Sequence, residues 1–292
     1  MGAQVSVPTI SMAETGLGRT RRLDIRRIYP ALVFIPLFIA LLRYGPPIAF
    51  FGLVTLSALC ALAELYLLYF NKRGWPLEAN VGLFFLALLL FSVQWPSVLA
   101  VPTVCVLAIV SMLTVRMFMG RDLAGGLADS AVLTFSLLYI GLTLGTLLQI
   151  RGLLEGDLLI LFLFLVTWGS DAGAYYAGTL LGRHKLAPTI SPNKTIEGLI
   201  GGLLVAITLA LLARSWFLPS FTLADTAACG VLLTFAGLLG DLTESMIKRS
   251  VGAKDSGSLI MGHGGMFDRL DSLLFAAPAF YFYATMIKGI TP

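Results

Sequence analysis

Charged side chains are scarce in this chain. They make up 12% of its 292 residues, about half of the roughly 25% that is usual in soluble domains. No polar stretch is longer than the first 27 residues, so we expect no separate water-soluble domain. That first stretch also lacks the apolar core of a secretory signal. The composition therefore excludes a water-soluble globular protein.

Several site motifs are also missing. The three cysteines, Cys60, Cys105 and Cys229, stand inside apolar runs without CxxC spacing, so we interpret them as packing residues. No HExxH or Cys/His cluster occurs, which argues against a zinc site. No GxxxxGK[ST] pattern occurs either, which argues against an ordinary P-loop ATPase.

Apolar sequence is abundant instead, at 58% hydrophobic residues. Apolar runs of about twenty residues recur along the chain, and each is long enough to cross roughly 30 Å of hydrocarbon as a helix. We therefore predict an all-α, polytopic integral membrane protein with about nine transmembrane helices. The predicted spans are Ile28–Leu42, Pro47–Phe70, Ala79–Trp95, Val98–Phe118, Ser130–Ile150, Leu158–Leu181, Ile196–Leu218, Thr226–Ile247 and Leu270–Ile287.

These spans suggest three parts. Residues 1–27 form a polar, basic cytoplasmic tail, and residues 28–150 form an N-terminal transmembrane region with about five spans. Residues 151–292 form a C-terminal transmembrane region with about four spans and two cytoplasmic motif loops, and this region holds the candidate catalytic residues.

The distribution of Lys and Arg predicts the orientation. With nine spans, sixteen of the 20 Lys and Arg residues lie on the side of the N-terminus. The other side holds only Arg43, Arg151, Arg214 and Lys288. Because positive residues favour the cytoplasmic side, we expect the N-terminus and both motif loops inside and the C-terminus outside. The net charge of +4 then reports orientation, and nucleic acid is not an expected partner.

A few ionisable residues stand inside predicted spans, where they are costly and usually functional. Asp171 occurs in WGSDAGAYYAG, and Asp241 occurs in GLLGDLTESMIKRS with Glu244 and Lys248 on the same helical face. We expect this stripe to line a polar cavity; the alternative is a buried salt-bridge network. Glu64 in the second span has a structural and a functional interpretation that the sequence leaves open.

The segment GAKDSGSLIMGHGGMFDRLD before the last span is unusually polar. Asp268 and Asp271 are three residues apart, so they share one face of a helix. Such residues can simply cap a helix. The glycines of 262–265, however, permit close approach to a ligand, and Lys254 and Arg269 add positive charge.

Carboxylates, cations and a glycine-rich loop together favour phosphate chemistry. Asp oxygens suit Mg²⁺, which usually also contacts substrate phosphates, and Lys and Arg neutralise the remaining phosphate charge. The combination is typical of phosphoryl or nucleotidyl transfer. His263 either contacts phosphate or orders the loop.

The second motif loop contains SPNKTIEG and leads into the seventh span. Thr195 can cap that helix, although Gly198 replaces the Glu of a full capping box. A helix start beside Lys194 is a natural anion site. A plain loop is the alternative.

The 27 residues from Ser245 to Asp271 closely resemble the signature of the phosphatidate cytidylyltransferases, also called CDP-diacylglycerol synthases. SPNKTIEG and DAGAY resemble two further blocks of that family in the same order. The resemblance is strong from Trp168 to Ser272, whereas the first 150 residues agree only as a multi-span region. Met261 stands where the family usually has Pro, and losing Pro loosens the entry to the loop.

The resemblance implies the reaction CTP + phosphatidate → CDP-diacylglycerol + pyrophosphate, in phospholipid biosynthesis at the inner (plasma) membrane of a prokaryote. It implies CTP and phosphatidate as partners and Mg²⁺ as cofactor, with a second cation left open. The expected metal ligands are Asp241 and Asp268, then Asp171, Glu244 and Asp271. The expected catalytic residues are Asp241, Asp268, Lys248, Arg249 and Lys254. The expected substrate-binding residues are Ser191, Asn193, Lys194, His263, Gly264, Gly265 and Arg269.

Other functions remain open at this point. Another CTP-dependent lipid-phosphate transferase or kinase would differ in its products, since a kinase releases CDP. A cation or lipid transporter is a non-enzyme alternative, but it predicts broken helices in both halves, and the charged motifs lie only in the second half. The pairs Gly141/Gly145, Gly178/Gly182 and Gly198/Gly202 either pack helices within the chain or form the seam of a homodimer.

Overall fold

The structure is a computed structural model that describes residues 28–70, 73–119, 124–253 and 265–292, with side chains from Ile35 onward except that of Met119. The described residues form nine α-helices: α1 (Ile28–Tyr44), α2 (Pro47–Phe70), α3 (Leu77–Gln94), α4 (Val101–Met119), α5 (Gly126–Arg151), α6 (Gly156–Leu181), α7 (Ile196–Trp216), α8 (Leu223–Ser250) and α9 (Phe267–Phe282). A π-helical turn, Tyr283–Ile287, continues α9, and two short strands, β1 (Lys185–Ala187) and β2 (Ser191–Thr195), lie between α6 and α7.

The polytopic prediction is confirmed. Within the described ranges, eight helices are long and apolar enough to cross a membrane, and Ile35–Tyr44 is a shorter apolar helix. Several helices extend past the predicted spans, as α5 does by beginning at Gly126. Polar residues continue the helical hydrogen bonding beyond the apolar segment, so hydropathy alone underestimates helix length. The predicted basic tail, 1–27, lies outside the described residues.

Small residues bring neighbouring helices together. A Cβ added to Gly141 would meet the side chains of Leu86 and Leu89 on α3. A Cβ added to Gly178 of α6 would lie 3.5 Å from Cα of Gly198 on α7. At Gly202, the nearest atom would be the carbonyl oxygen of Ser170, 2.9 Å away. The predicted packing role of these glycines within the chain is therefore confirmed.

Polar contacts join the helix ends in two groups. At one end, Arg43 Nη1 lies 2.6 Å from Asp157 Oδ2, and Arg151 donates a hydrogen bond to the carbonyl of Leu42. At the other end, Arg73 and Arg116 both contact Asp129. This second group includes the C-terminal ends of α2 and α4 and the N-terminal end of α5. Helix direction alternates from one span to the next along the chain. By this alternation, the ends of α6, α8 and α9 that carry the predicted motifs fall on the same side as this second group.

The connection between α6 and α7 is a ribbon, where the sequence predicted a loop. Strands β1 and β2 pair antiparallel, with Lys185 opposite Thr195 and Ala187 opposite Ser191. Pro188 begins the turn between them, since its fixed φ suits a turn. Thr195 ends the ribbon and caps α7 by accepting the Gly198 N–H at 3.1 Å, as predicted. The ribbon thereby gives the segment SPNKT a defined position at the start of α7.

Candidate active site

Three carboxylates from two helices converge near the C-terminal end of α8. Among the described residues, ligand oxygens of Asp241, Glu244 and Asp271 all lie within 4.8 Å of one another. Asp241 and Glu244 are one turn apart on α8, and Asp271 comes from the first turns of α9. Glu244 is 2% exposed, and the other two residues are half-buried. The arrangement is a candidate metal site, which we call the acidic group.

A glycine explains how α9 comes so close to α8. A Cβ added to Gly240 would collide with the backbone carbonyl oxygen of Asp271. At Gly237, one turn earlier, an added Cβ would lie 3.5 Å from Cβ of Ser272, which is ordinary contact. Gly240 therefore permits the approach that joins Asp241 with Asp271. Gly240 was not among the predicted site residues, although its place directly before an intramembrane Asp was a usable signal.

Two lysines neutralise part of the acidic charge. Lys194, at the end of the ribbon, forms an ion pair with Asp241. Lys248 Nζ lies 2.8 Å from Glu244 Oε1 and 2.8 Å from Asp268 Oδ1. Asp241, Glu244 and Lys248 thus take part in one cluster of ion pairs, to which the ribbon contributes Lys194. The cavity that the sequence predicted beside this stripe stays a prediction.

The remaining two acidic candidates border this cluster. Asp171 of α6 accepts a hydrogen bond from the Ser272 hydroxyl at 3.0 Å and interacts electrostatically with Asp241. Asp268 accepts the Gly265 N–H at 3.2 Å in addition to its contact with Lys248. Asp268 is not a member of the acidic group that the described residues form. Its predicted role as a metal ligand remains a prediction.

Among the described residues, carboxylates outnumber basic side chains around the acidic group. Five carboxylates surround two lysines, and several of the acids interact with one another. Like charges at such short range repel one another, which raises the free energy of this arrangement. A bound cation would relieve this repulsion, and oxygen-only ligands suit a hard cation such as Mg²⁺.

The other predicted site residues have less direct positions. Arg249 is exposed and donates to the carbonyl oxygen of Ala253 at 3.3 Å. Arg269 is exposed on the first turn of α9, while Asn193 is exposed and Ser191 is half-buried on β2. Gly265 donates its N–H to Asp268. Three predicted residues lie outside the described residues: Lys254, His263 and Gly264.

Glu197 attaches the ribbon to α7. Its carboxylate accepts the Arg183 N–H at 3.0 Å and the His184 N–H at 3.2 Å. It also lies 2.6 Å from Nδ1 of the His184 ring. These contacts fix the beginning of the ribbon and so the position of Lys194 at its end. Glu197 was not among the predicted site residues, because its partners, two backbone N–H groups and the His184 ring, belong to the other end of the ribbon.

Comparison with known proteins gives consistent matches. A profile described as "Cytidylyltransferase family" matches residues 25–287. A protein named "Phosphatidate cytidylyltransferase" from Staphylococcus aureus is 35% identical over 254 residues, which is 86% of this chain and 94% of the relative. Proteins of the same name from Staphylococcus saprophyticus and Staphylococcus epidermidis are 43% identical over 150 residues, covering 51% of this chain and 57% of each relative.

Proposed function

This chain belongs to the cytidylyltransferase family, and we propose that it transfers the cytidylyl group of CTP to phosphatidate, giving CDP-diacylglycerol and pyrophosphate. The observation that carries the proposal is the acidic group with Lys194 and Lys248 beside it. Both substrates are anionic, so they approach one another only where cations offset their charge. The reaction would supply an activated lipid for phospholipid biosynthesis.

The acidic group fits a magnesium ion. Its ligands are all carboxylate oxygens, which suit a hard cation such as Mg²⁺, and they lie within 4.8 Å of one another. Asp241, Glu244 and Asp271 would hold the ion. When bound, it would withdraw charge from the phosphates of CTP and orient them.

The lysines would then change partners. Lys194 and Lys248 contact carboxylates in this structure. With a cation bound to those carboxylates, the ammonium groups of both lysines would be available to contact phosphate oxygens of the substrates. A phosphate oxygen of phosphatidate attacks the α-phosphorus of CTP, and the bond to the β-phosphate oxygen breaks to release pyrophosphate. The attacking oxygen is already ionised near neutral pH, so no strong general base is required.

The position of the cluster suits one lipid and one water-borne substrate. By the alternation of spans along the chain, it lies at the helix ends on the same side as Arg73 and Arg116. The distribution of Lys and Arg predicts that this side faces the cytoplasm. We propose a cytoplasmic active site at the plasma membrane of a bacterium. Thiol labelling of intact cells tests this, since Asn193→Cys should stay protected from an impermeant reagent and Ser220→Cys should react. The opposite pattern would overturn the orientation.

The activity is tested with the purified protein in detergent, CTP and phosphatidate, with and without Mg²⁺. We expect Mg²⁺-dependent release of pyrophosphate and formation of CDP-diacylglycerol. A lipid kinase would release CDP, and a transporter would not consume CTP. Asp241→Asn should abolish turnover, whereas the distant Asp225→Asn should retain it. Failure of the wild-type protein to form CDP-diacylglycerol would refute the proposal.

A further inference from the structure

A carboxylate from the N-terminal half of the chain contacts the start of α9. Glu64 lies on α2 and is 1% exposed. Its Oε1 accepts the Met266 N–H at 2.9 Å, and its Oε2 accepts the Phe267 N–H at 2.8 Å. These two contacts join residues 202 and 203 positions apart in the chain, and they give Glu64 a structural role at the start of α9.

The start of α9 needs such acceptors. The first N–H groups of a helix have no partner within the helix, and the N-cap residue Met266 offers no capping side chain. Asp268 accepts the Gly265 N–H, and Glu64 accepts the next two. A carboxylate also interacts favourably with the positive end of the helix dipole. Burial of Glu64 is tolerable because its charge faces these donors.

The consequence concerns the two carboxylates that α9 carries. Asp268 contacts Lys248, and Asp271 completes the acidic group. Their positions depend on where α9 begins and on how closely it follows α8 at Gly240. Any shift of the first turn of α9 moves both carboxylates relative to α8.

We propose that Glu64 is a positioning residue of the transfer reaction: by holding the first turn of α9, it sets the places of Asp268 and Asp271. This inference rests on the proposed function and gives a residue of the N-terminal half a role in it. Glu64 acts through α9 and contacts no substrate.

The first experiment compares Glu64→Gln with Glu78→Gln. Glu78 is a matched control, because it is 4% exposed, lies in the same half and contacts Arg116 instead of α9. Gln has the same shape as Glu, but its side-chain NH₂ group is a donor. In Glu64→Gln this group would face one of the two backbone N–H donors, so that hydrogen bond would be lost. We expect Glu64→Gln to accelerate amide hydrogen exchange in the segment 265–275 and to lower kcat about 10- to 100-fold, with a smaller change in KM for CTP. Glu78→Gln should leave both near the wild-type values.

Binding of Mn²⁺ alone, followed by its electron paramagnetic resonance signal, gives a readout without turnover. Glu64→Gln should weaken this binding about tenfold, because Asp271 is displaced. Wild-type values for exchange, kcat and Mn²⁺ binding in Glu64→Gln would overturn the inference. Equal losses in Glu64→Gln and Glu78→Gln would also overturn it, since they would indicate general destabilisation.

A second pair of variants acts from the side of α9. Met266 has φ −66°, which the proline ring allows, so Met266→Pro removes the N–H that Glu64 accepts. Met266→Ala removes a similar amount of side chain and keeps the N–H. We expect Met266→Pro to lower kcat more than Met266→Ala, and the double variant with Glu64→Gln to fall short of the product of the single effects. If the effects of Glu64→Gln and Met266→Pro on kcat simply multiplied, Glu64 would not act through the Met266 N–H, which would contradict the inference.

The outcomes also separate the two proposals. If the wild-type protein forms no CDP-diacylglycerol, the proposed function fails, and hydrogen exchange at 265–275 still decides whether Glu64 holds α9. If the wild-type protein is active but its exchange and kcat are insensitive to Glu64→Gln, only the positioning inference fails.

Discussion

Helix α8 carries an acidic residue near each end, and the two have opposite surroundings. Asp225 accepts the Thr222 N–H at 2.7 Å within a capping box, the Tyr283 hydroxyl at 2.8 Å and the Lys288 ammonium at 2.7 Å. Donors of the protein itself satisfy this carboxylate. Near the other end, Asp241 lies with Glu244 and Asp271 in a group where acids outnumber lysines.

The difference shows how the same residue type serves two purposes. The end with Asp225 is complete by itself, so its charges contribute to stability. The end with Asp241 holds like charges together, and their repulsion costs stability. Sites that are strained in this way are commonly functional, and their relief by substitution tends to exchange activity for stability.

The largest expected effect comes from substituting one carboxylate beside each end of α8, in separate variants. Asp271→Asn should lower CDP-diacylglycerol formation more than about 100-fold, while its thermal midpoint stays equal or rises because a repulsion is removed. Asp225→Asn should have the opposite effect. Its free energy of unfolding should fall by about 1–3 kcal/mol, and its turnover should be retained. Pyrophosphate release and thermal unfolding in detergent measure both. A destabilised Asp271→Asn with normal turnover would contradict the comparison.

The close approach of α8 and α9 gives the next largest effect. In Gly240→Ala the added methyl collides with the carbonyl of Asp271, so the helices must separate. We expect about 1–3 kcal/mol lower stability and a loss of turnover of up to about 100-fold. Gly237→Ala is the control, because its Cβ would meet only ordinary contacts from 3.5 Å outward. Similar turnover in the two variants would show that the approach is not required.

A moderate effect is expected at the ribbon. Glu197→Ala removes the acceptor of the Arg183 and His184 N–H groups, so Lys194 loses its fixed position. KM for CTP should rise about tenfold, with a smaller change in kcat. His184→Asn keeps a donor where Nδ1 stands and should behave like the wild type. Steady-state kinetics decide this, and an unchanged KM in Glu197→Ala would remove the ribbon from CTP binding.

The smallest effect is expected at an exposed ion pair away from the site. The side chain of Arg43 is 47% exposed where it contacts Asp157, so solvent screens the pair. Arg43→Gln should change stability by less than about 1 kcal/mol and leave turnover unchanged. Thermal unfolding and pyrophosphate release check this. A loss of turnover here would mean that the two ends of the bundle are coupled.

The fold could be predicted because a membrane span imposes a minimum length on an apolar helix. That rule found α2 and α7 to within a few residues, and the motif around Ser245–Asp271 identified the family that the comparisons confirm. Helix ends were less predictable, since polar residues such as Lys248, Arg249 and Ser250 at the end of α8 continue a helix without contributing hydropathy.

The site was predictable in its residue types and less so in its arrangement. The spacing of Asp241, Glu244 and Lys248 on one helix predicted a shared face, because helical geometry is local. Which acid of α9 joins them depends on contact between two helices at Gly240, which spacing within one segment does not reveal. The same holds for Glu64 and Glu197, which accept backbone N–H groups of other segments.

The place of α9 in the chain order has a consequence for biogenesis. Asp241 and Glu244 enter the membrane with α8, whereas Asp271 arrives only with the following helix, and the acceptor for the first turn of that helix is already waiting on α2. A nascent chain therefore holds only part of the acidic group until α9 docks. Insertion of that helix is the step that completes the acidic group, and under the proposed function it is the step that would precede any turnover.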